Sequence, residues 1–163
     1  MITDGNRPAI RAACPADEAS VREIVDAAYQ VYIPRIGKKP GPMLDDYAKR
    51  IAGGQVWVLD GASGIVGIVV LEESPDGFLL DNIAVDPGQQ GKGFGRVLLA
   101  FAETAARHRG FSDIRLYTHA LMTENIALYR RIGYVETSRV TEKGFDRVYM
   151  TKPLGATLRA SYI

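Results

Sequence analysis

Cysteine is almost missing from this chain. A single residue, Cys14, among 163 allows no internal disulfide and leaves too few thiolates for a structural zinc site. Cys14 itself is expected to be a buried or half-buried small side chain, the usual habit of a free cysteine. Long apolar runs are missing as well: none approaches the roughly 20 residues that cross a bilayer. The start, Met1 to Arg11, lacks the apolar core of a signal peptide, so a cytoplasmic location without a membrane partner is expected. A dominant charge sign is the third absence. A formal net charge of +1 sets up no global field for nucleic acid or anionic lipid. Lys38-Lys39 and Arg130-Arg131 are isolated pairs without a broad basic stripe or interleaved aromatics, so no nucleic-acid partner is expected. No internal repeat or low-complexity segment is present.

The length suits one compact domain with its own core, expected over residues 1–153, with 154–163 as a tail. Along the chain, Arg7 to Ala13 reads as a strand. Val21, Ile24, Val25, Ala28, Tyr29 and Tyr32 then recur at helical spacing, which predicts a helix from Asp17 to Tyr32. Ile33 to Pro42 holds three prolines and two glycines and reads as a basic loop, not helix. Leu44 to Ala52 can form a short helix ended by Gly53-Gly54. Val56 to Leu59, Ile65 to Leu71 and Phe78 to Val85 are β-branched and apolar, and their short turn-rich links imply an antiparallel meander. Gly93 to Arg109 returns to helical periodicity. Ile114 to Thr118 follows as a strand, Glu124 to Ile132 as a helix, and Val135 to Thr141 with Arg147 to Thr151 as a hairpin around Lys143-Gly144. The order predicts an α/β (α+β) sheet covered by helices on both faces.

The chemistry concentrates where Ile83-Ala84-Val85 ends a strand, Asp86-Pro87-Gly88-Gln89 turns, and Gln90-Gly91-Lys92-Gly93-Phe94-Gly95-Arg96 opens a helix. Glycines at alternate positions let a ligand approach the backbone, and the first-turn amides of a helix point outward without acceptors. An anion is the natural guest, favoured by the helix dipole and by Lys92 and Arg96. A P-loop is excluded because Gly93 follows Lys92 where a Ser or Thr is needed. A dinucleotide fingerprint is excluded because its third glycine is absent in either register.

Gln90-x-x-Gly93-x-Gly95, placed directly after Leu80-Asp81-Asn82-Ile83-Ala84-Val85, resembles the GCN5-related N-acetyltransferase (GNAT) family. The downstream run Glu124-Asn125-Ile126-Ala127-Leu128-Tyr129-Arg130-Arg131-Ile132-Gly133-Tyr134 is similar to the family's second cofactor motif, and the likeness extends from Arg7 to Lys152. The resemblance implies a mixed, mostly antiparallel sheet of about seven strands flanked by about four helices, with a splayed central strand pair. It implies acetyl-coenzyme A as cosubstrate, no metal, and transfer to a primary amine of a small molecule, amino acid or peptide. The amides of Gly91 to Arg96 would hold the pyrophosphate, with Gln90 leading into the loop, and Ile83, Ala84 and Val85 would pair with the pantetheine arm as an added strand does.

Acetyl transfer needs a neutral amine, stabilisation of an oxyanion and a proton for the departing thiolate. By resemblance Tyr129 supplies that proton; a phenol, with an ordinary pKa of about 10, is a weaker acid than a thiol and so suits the task. The oxyanion would meet a backbone amide near Val85. Asn125, four residues before Tyr129 on one helix face, is carried over to the cofactor. The family's commoner asparagine lies seven residues before the tyrosine, where this chain has Met122. The base stays open among Glu72, Glu73, Asp81 and His119. Family members draw acceptor contacts from the first two helices and their connection, here Tyr29, Tyr32, Arg35, Lys38 and Lys39. Arg35 could bind a substrate carboxylate or be a solvated loop residue. Another acyl group, or a coenzyme A-binding module without catalysis, remain the alternatives, and a homodimer is expected only by family analogy.

Overall fold

The computed structural model describes residues 8–155. Arg7, expected to begin the first strand, and residues 156–163 of the expected tail lie outside the described residues. Seven strands form one mixed sheet in the order β1-β2-β3-β4-β5-β7-β6. They are β1 Ala9–Ala12, β2 Val56–Gly61, β3 Gly64–Ser74, β4 Gly77–Val85, β5 Asp113–His119, β6 Val135–Glu142 and β7 Phe145–Pro153. The helices are α1 Glu18–Tyr29, the single turn α2 Ile33–Ile36, α3 Tyr47–Ala52, α4 Phe94–His108 and α5 Thr123–Arg131. The expected sheet with four helices longer than one turn is the observed one.

The chain divides into two compact units, one made of the residues up to Leu71 with Asn82–Leu99, the other of Glu72–Asp81 and the chain from Ala100 onward. In the first, β1 pairs antiparallel with β2 from Ala9↔Asp60 to Ala12↔Trp57, and β2 with β3 from Val56↔Val70 to Gly61↔Gly64. Val21, Ile24 and Val25 of α1 share one helix face and pack with Tyr47 and Ile51 of α3 onto Val56, Val58, Ile68, Val70 and Ala84. Each such aliphatic side chain stabilises by about 1.5–3 kcal/mol when buried, which is what orients α1 on the strands. Arg11 of β1 donates to Asp17 at 2.7 Å and to Asp60 at 2.6 Å, closing the edge of this unit.

In the second unit β4 and β5 run parallel at Leu79↔Arg115 and Leu80↔Leu116. β5 pairs antiparallel with β7 from Asp113↔Pro153 to His119↔Arg147, and β7 with β6 around the turn at Lys143-Gly144. Ile114, Leu116 and Thr118 are buried at alternate positions of β5, as a strand with one covered face requires.

The structure departs from the sequence reading in several places. Ile33–Ile36 is a helical turn, with Pro34 in its first turn where the missing N–H costs nothing. Gly41–Leu44 is a 3-10 turn. The helix expected from Leu44 begins at Tyr47, because the side chain of Asp46 accepts from the Lys49 amide and caps it there. Residues Gln30–Tyr32 tighten into a 3-10 turn after α1. Cys14 is exposed, contrary to expectation. Its amide donates to Asp17 at 2.8 Å, so the position serves the start of the first helical segment and not the core.

Candidate functional site

In the first unit, β4 leaves the sheet at Val85 and a 3-10 turn, Pro87–Gln89, leads to α4. Asp86 accepts from the Gly88 amide at 3.0 Å and sets this turn. Gly91 and Gly93 lie at φ +82° and +83°, a conformation that costs a residue with a Cβ about 1–2 kcal/mol. Gly95 differs. It lies in the first turn of α4 without a left-handed φ, and a Cβ built there meets nothing within 4 Å. Neither backbone geometry nor packing within the protein calls for glycine at that position.

Among the described residues, no backbone carbonyl accepts from the amides of Gly91 through Arg96, and the Val97 amide is the first to find one, Gly93, at 3.2 Å. Gln90, Gly91, Lys92, Gly93 and Arg96 are exposed, and Phe94 and Gly95 half-buried. Lys92 Nζ is held by Gln89 Oε1 at 2.9 Å. Open space, outward amides, a helix N-terminus and two cations make this turn a cradle for an anion.

The strand that precedes the cradle carries a polar relay. Tyr29 Oη donates to Asn82 Oδ1 at 2.6 Å and lies 3.2 Å from the Ile83 carbonyl. Asn82 Nδ2 donates to Tyr47 Oη at 3.0 Å, and Tyr47 Oη donates to the Pro42 carbonyl at 2.6 Å. Tyr29, Tyr32 and Arg35, all expected on the acceptor side, come together: the two rings are 6.4 Å apart and the Arg35 guanidinium lies 5.1 Å from the Tyr32 centroid. Lys38 and Lys39 are exposed.

In the second unit Tyr129 of α5 is buried, with its ring 5.8 Å from that of Tyr134 in an edge-on contact. Burial pushes the Tyr134 hydroxyl above the usual tyrosine range, and the charges of Glu103 and of an ionised Tyr129 act in the same direction. Asn125 is half-buried, and its Nδ2 lies 3.6 Å from the sulfur of Met122. Met122 is itself buried, so the residue that replaces the family's commoner asparagine is a packing element under α5.

Of the candidate bases, Glu73 is exposed and paired with Arg109 at 2.7 Å, and Glu72 is half-buried. Asp81 is 8% exposed and accepts from Tyr117 Oη at 2.8 Å. The Tyr117 ring carries the Arg147 guanidinium 4.4 Å from its centroid, and Arg147 donates to Glu142 at 3.0 Å. Tyr149 Oη also donates to Glu142, at 2.8 Å. His119 Nδ1 accepts from the Leu121 amide at 3.0 Å, which leaves Nε2 as its proton-bearing nitrogen.

Sequence reasoning did not find Asn82, Tyr47, Tyr117, Glu142, Arg147 or Tyr149. One signal was present: Asp81-Asn82 puts two adjacent polar residues inside an apolar strand, and a buried strand can carry them only with partners. Among the described residues there is no group of three or more His, Cys, Asp or Glu that could hold a metal ion. No helix there is long and apolar enough to cross a membrane.

A family profile described as acetyltransferase (GNAT) domain matches residues 52–136, just over half of the chain. The chain is 34% identical over 90 residues to mycothiol acetyltransferase of Cellulomonas flavigena, covering 52% of this chain and 24% of that protein. It is 40% identical over 55 residues to streptothricin acetyltransferase of Streptomyces lavendulae, covering 34% and 29% respectively. The chain thus spans less than a third of either relative. The crystal structure of PaiA N-acetyltransferase from Thermoplasma acidophilum in complex with coenzyme A is similar with a TM-score of 0.73 at 18% identity, over 90% of this chain and 99% of that one, a likeness of fold.

Proposed function

The chain belongs to the GNAT acetyltransferase family, and from that premise we propose that it moves the acetyl group of acetyl-coenzyme A to a primary amine by direct transfer in a ternary complex. The observation that carries this reading is the cradle at Gly91–Arg96, where outward amides meet open space, and Gly95 is consistent with it as a helical glycine that no contact within the protein requires. Acetyl-coenzyme A supplies the activated acyl group and the phosphates that fill such a cradle.

The chain's own residues have distinct tasks. The amides of Gly91, Gly93, Phe94 and Gly95, with Lys92, Arg96 and the preceding Gln90, hold the pyrophosphate. The backbone of Ile83, Ala84 and Val85 binds the pantetheine arm as an added strand. Its direction is supported by the Asp86 amide, which donates to the Val66 carbonyl of β3 at 2.8 Å. Peptide groups alternate along a strand, so those of Ile83 and Val85 point away from β3, toward the side on which this pairing would form, with the Ile83 carbonyl also within reach of Tyr29 Oη at 3.2 Å. The Val85 amide meets the oxygen on which negative charge develops. Tyr129 Oη holds the proton that the leaving sulfur takes, and Asn125 supports the cofactor from the same helix. Asp81, buried and hydrogen-bonded to Tyr117, is the favoured base among the four carboxylate and imidazole candidates.

Similarity to a mycothiol acetyltransferase and a streptothricin acetyltransferase supports a small-molecule acceptor ahead of a peptide. An acetyltransferase domain running to residue 153 and a cytoplasmic setting belong to the same proposal, as does a homodimer, which rests on the family resemblance. Isothermal titration calorimetry with coenzyme A and acetyl-coenzyme A tests it. Micromolar binding of both is expected, and a folded protein that binds neither refutes the reading.

A further inference from the structure

In the acetyl-transfer scheme Asp81 takes a proton, and four side chains linked to it have no task. They form a closed ring within the second unit, on one face of β5, β7 and β6. Tyr117 pairs with Tyr149 across β5 and β7, Arg147 lies two residues before Tyr149 and so shares its face, and Glu142 stands opposite Phe145 at the end of the hairpin. The Arg147 guanidinium lies 4.4 Å from the centre of the Tyr117 ring, and its Nη1 donates to Glu142 at 3.0 Å. Tyr149 Oη donates to the same carboxylate at 2.8 Å, and its ring lies 5.6 Å from that of Tyr117, which closes the circle. From this ring a hydrogen bond runs to Asp81: Tyr117 Oη donates to its Oδ1 at 2.8 Å.

A surface arginine–glutamate pair contributes little to stability, and nothing in such a pair requires a tyrosine beneath it. Here the Arg147 side chain is only 13% exposed. Its charge is largely out of water and is met from two sides, by the Glu142 carboxylate and by the π-face of Tyr117. Burial and the hydrogen bond to Glu142 raise the Tyr149 hydroxyl above the usual tyrosine range. Tyr149 therefore keeps its proton and holds Glu142, and Glu142 fixes the guanidinium over the Tyr117 ring. A cation over a phenol draws electron density from it, and in a low-dielectric setting this strengthens its O–H as a donor. The recipient of that O–H is Asp81, which is 8% exposed. A base must be ionised to take a proton; burial opposes a charged carboxylate, and a hydrogen bond from a polarised phenol favours it.

We propose that Tyr117 and Arg147 are positioning residues for the base: Tyr117 pins the Asp81 carboxylate and keeps it ionised, and Arg147, clamped by Glu142 and Tyr149, holds and polarises Tyr117. The inference rests on the acetyl-transfer reading with Asp81 as base. As the amine nitrogen bonds to the thioester carbon and the carbon–sulfur bond breaks, one N–H proton passes to the Asp81 carboxylate and the sulfur takes the proton of Tyr129. Tyr117 keeps its own proton throughout and is not consumed. Two other charged or titratable side chains share the Tyr117 face by strand alternation. Arg115 donates to the Asp76 carbonyl at 2.9 Å, and His119 accepts from the Leu121 amide at 3.0 Å.

The test follows the pH dependence of thiol release from acetyl-coenzyme A with the best of methylamine, glycinamide and 1,4-diaminobutane as acceptor, together with calorimetric binding of coenzyme A. The titrations of the acceptor, of Arg115 and of His119 are common to all variants, so the differences between variants report the ring. In Tyr117→Phe, which keeps the aromatic ring, the acid limb of kcat should move up by about one pH unit, the loss of one hydrogen bond to a charged group, with the coenzyme A Kd unchanged. The direction is upward because a carboxylate that loses a donor is protonated more easily. Arg147→Met should move the limb the same way by less, and Arg147→Lys, which keeps a cation over the ring, should return it most of the way. Should Arg147→Met not fold, Tyr117→Phe decides by itself. An acid limb that stays in place or moves down in Tyr117→Phe overturns the inference even where kcat falls, since a merely structural role lowers the rate without moving the limb upward. A limb moved in Tyr117→Phe and unmoved in Arg147→Met overturns the part given to Arg147. If Asp81→Asn keeps the kcat and the acid limb of the wild type, Asp81 is not the base, and the inference falls while acetyl transfer stands. A wild type that binds coenzyme A but releases no thiol with any of the three amines refutes the acetyl-transfer reading, and the inference with it.

Discussion

Replacing Gly95 by Glu separates what the cradle does for the fold from what it does for a ligand. Gly95 is in the first turn of α4, has no left-handed φ, and has open space where a side chain would begin. A glycine in a helix is about 0.8–1.0 kcal/mol less favourable than alanine, and glutamate recovers about half of that. A carboxylate in the first turn adds about 0.3–1 kcal/mol through the helix dipole. Gly95→Glu should therefore stabilise the unliganded protein by about 1 kcal/mol, which for a chain of this size raises the melting temperature by roughly 2–4 °C. The same side chain puts negative charge into the cradle. Two unit charges about 4 Å apart at an effective dielectric of about 20 repel by about 4 kcal/mol, enough to weaken coenzyme A binding at least about a hundredfold. Gly93→Glu is the poorer choice, since φ +83° there adds about 1–2 kcal/mol of backbone strain. Thermal unfolding and calorimetry on one preparation read both effects. A stabilised variant with wild-type affinity for coenzyme A would refute the assignment of the cradle, and a strongly destabilised one would refute the reasoning about Gly95.

Two further predictions concern stability. Tyr134 is 2% exposed, and its buried hydroxyl has no hydrogen-bond partner among the described residues; Tyr134→Phe should stabilise by roughly 1 kcal/mol in urea unfolding, and a clear loss would show that the hydroxyl is bonded after all. The Arg11 guanidinium holds the Asp17 carboxyl well below its usual range. A depressed folded-state value stabilises above the unfolded pKa of about 4 and is lost as pH falls through the folded value. Asp17→Asn should therefore cost stability at pH 7 and progressively less below about pH 4. The cost is modest because the pair is partly open to solvent, with the Arg11 side chain 42% exposed, and a cost independent of pH would contradict this origin.

The cradle was legible in the sequence because every part of it is local: a strand end, a turn and alternate glycines within a dozen residues. The helix and strand order was legible for the same reason, through the periodicity of residues such as Val21, Ile24 and Val25. Where proline and aspartate compete with periodicity, the boundaries moved. Pro34 begins a helical turn that composition argues against, and Asp46 caps α3 three residues later than Leu44 suggests. The relay was not legible, because Asn82 meets Tyr47 and Tyr29 across separations of 35 and 53 residues and no spacing rule spans such distances. Only the polar pair Asp81-Asn82 hinted that this stretch of β4 needed partners.

The central claim is acetyl transfer from acetyl-coenzyme A to an amine, with Tyr129 as the proton donor to the leaving sulfur. Its most direct test is amine-dependent thiol release by the wild type and by Tyr129→Phe, with coenzyme A binding measured on both. The expected result is thiol release by the wild type only when an amine is present, with the acetylated amine found by mass spectrometry. In Tyr129→Phe, kcat should fall about a hundredfold or more while the coenzyme A affinity stays close to wild type. Undiminished kcat in Tyr129→Phe would remove the proton donor from the scheme, and a folded wild type that neither binds acetyl-coenzyme A nor releases thiol would contradict the claim itself.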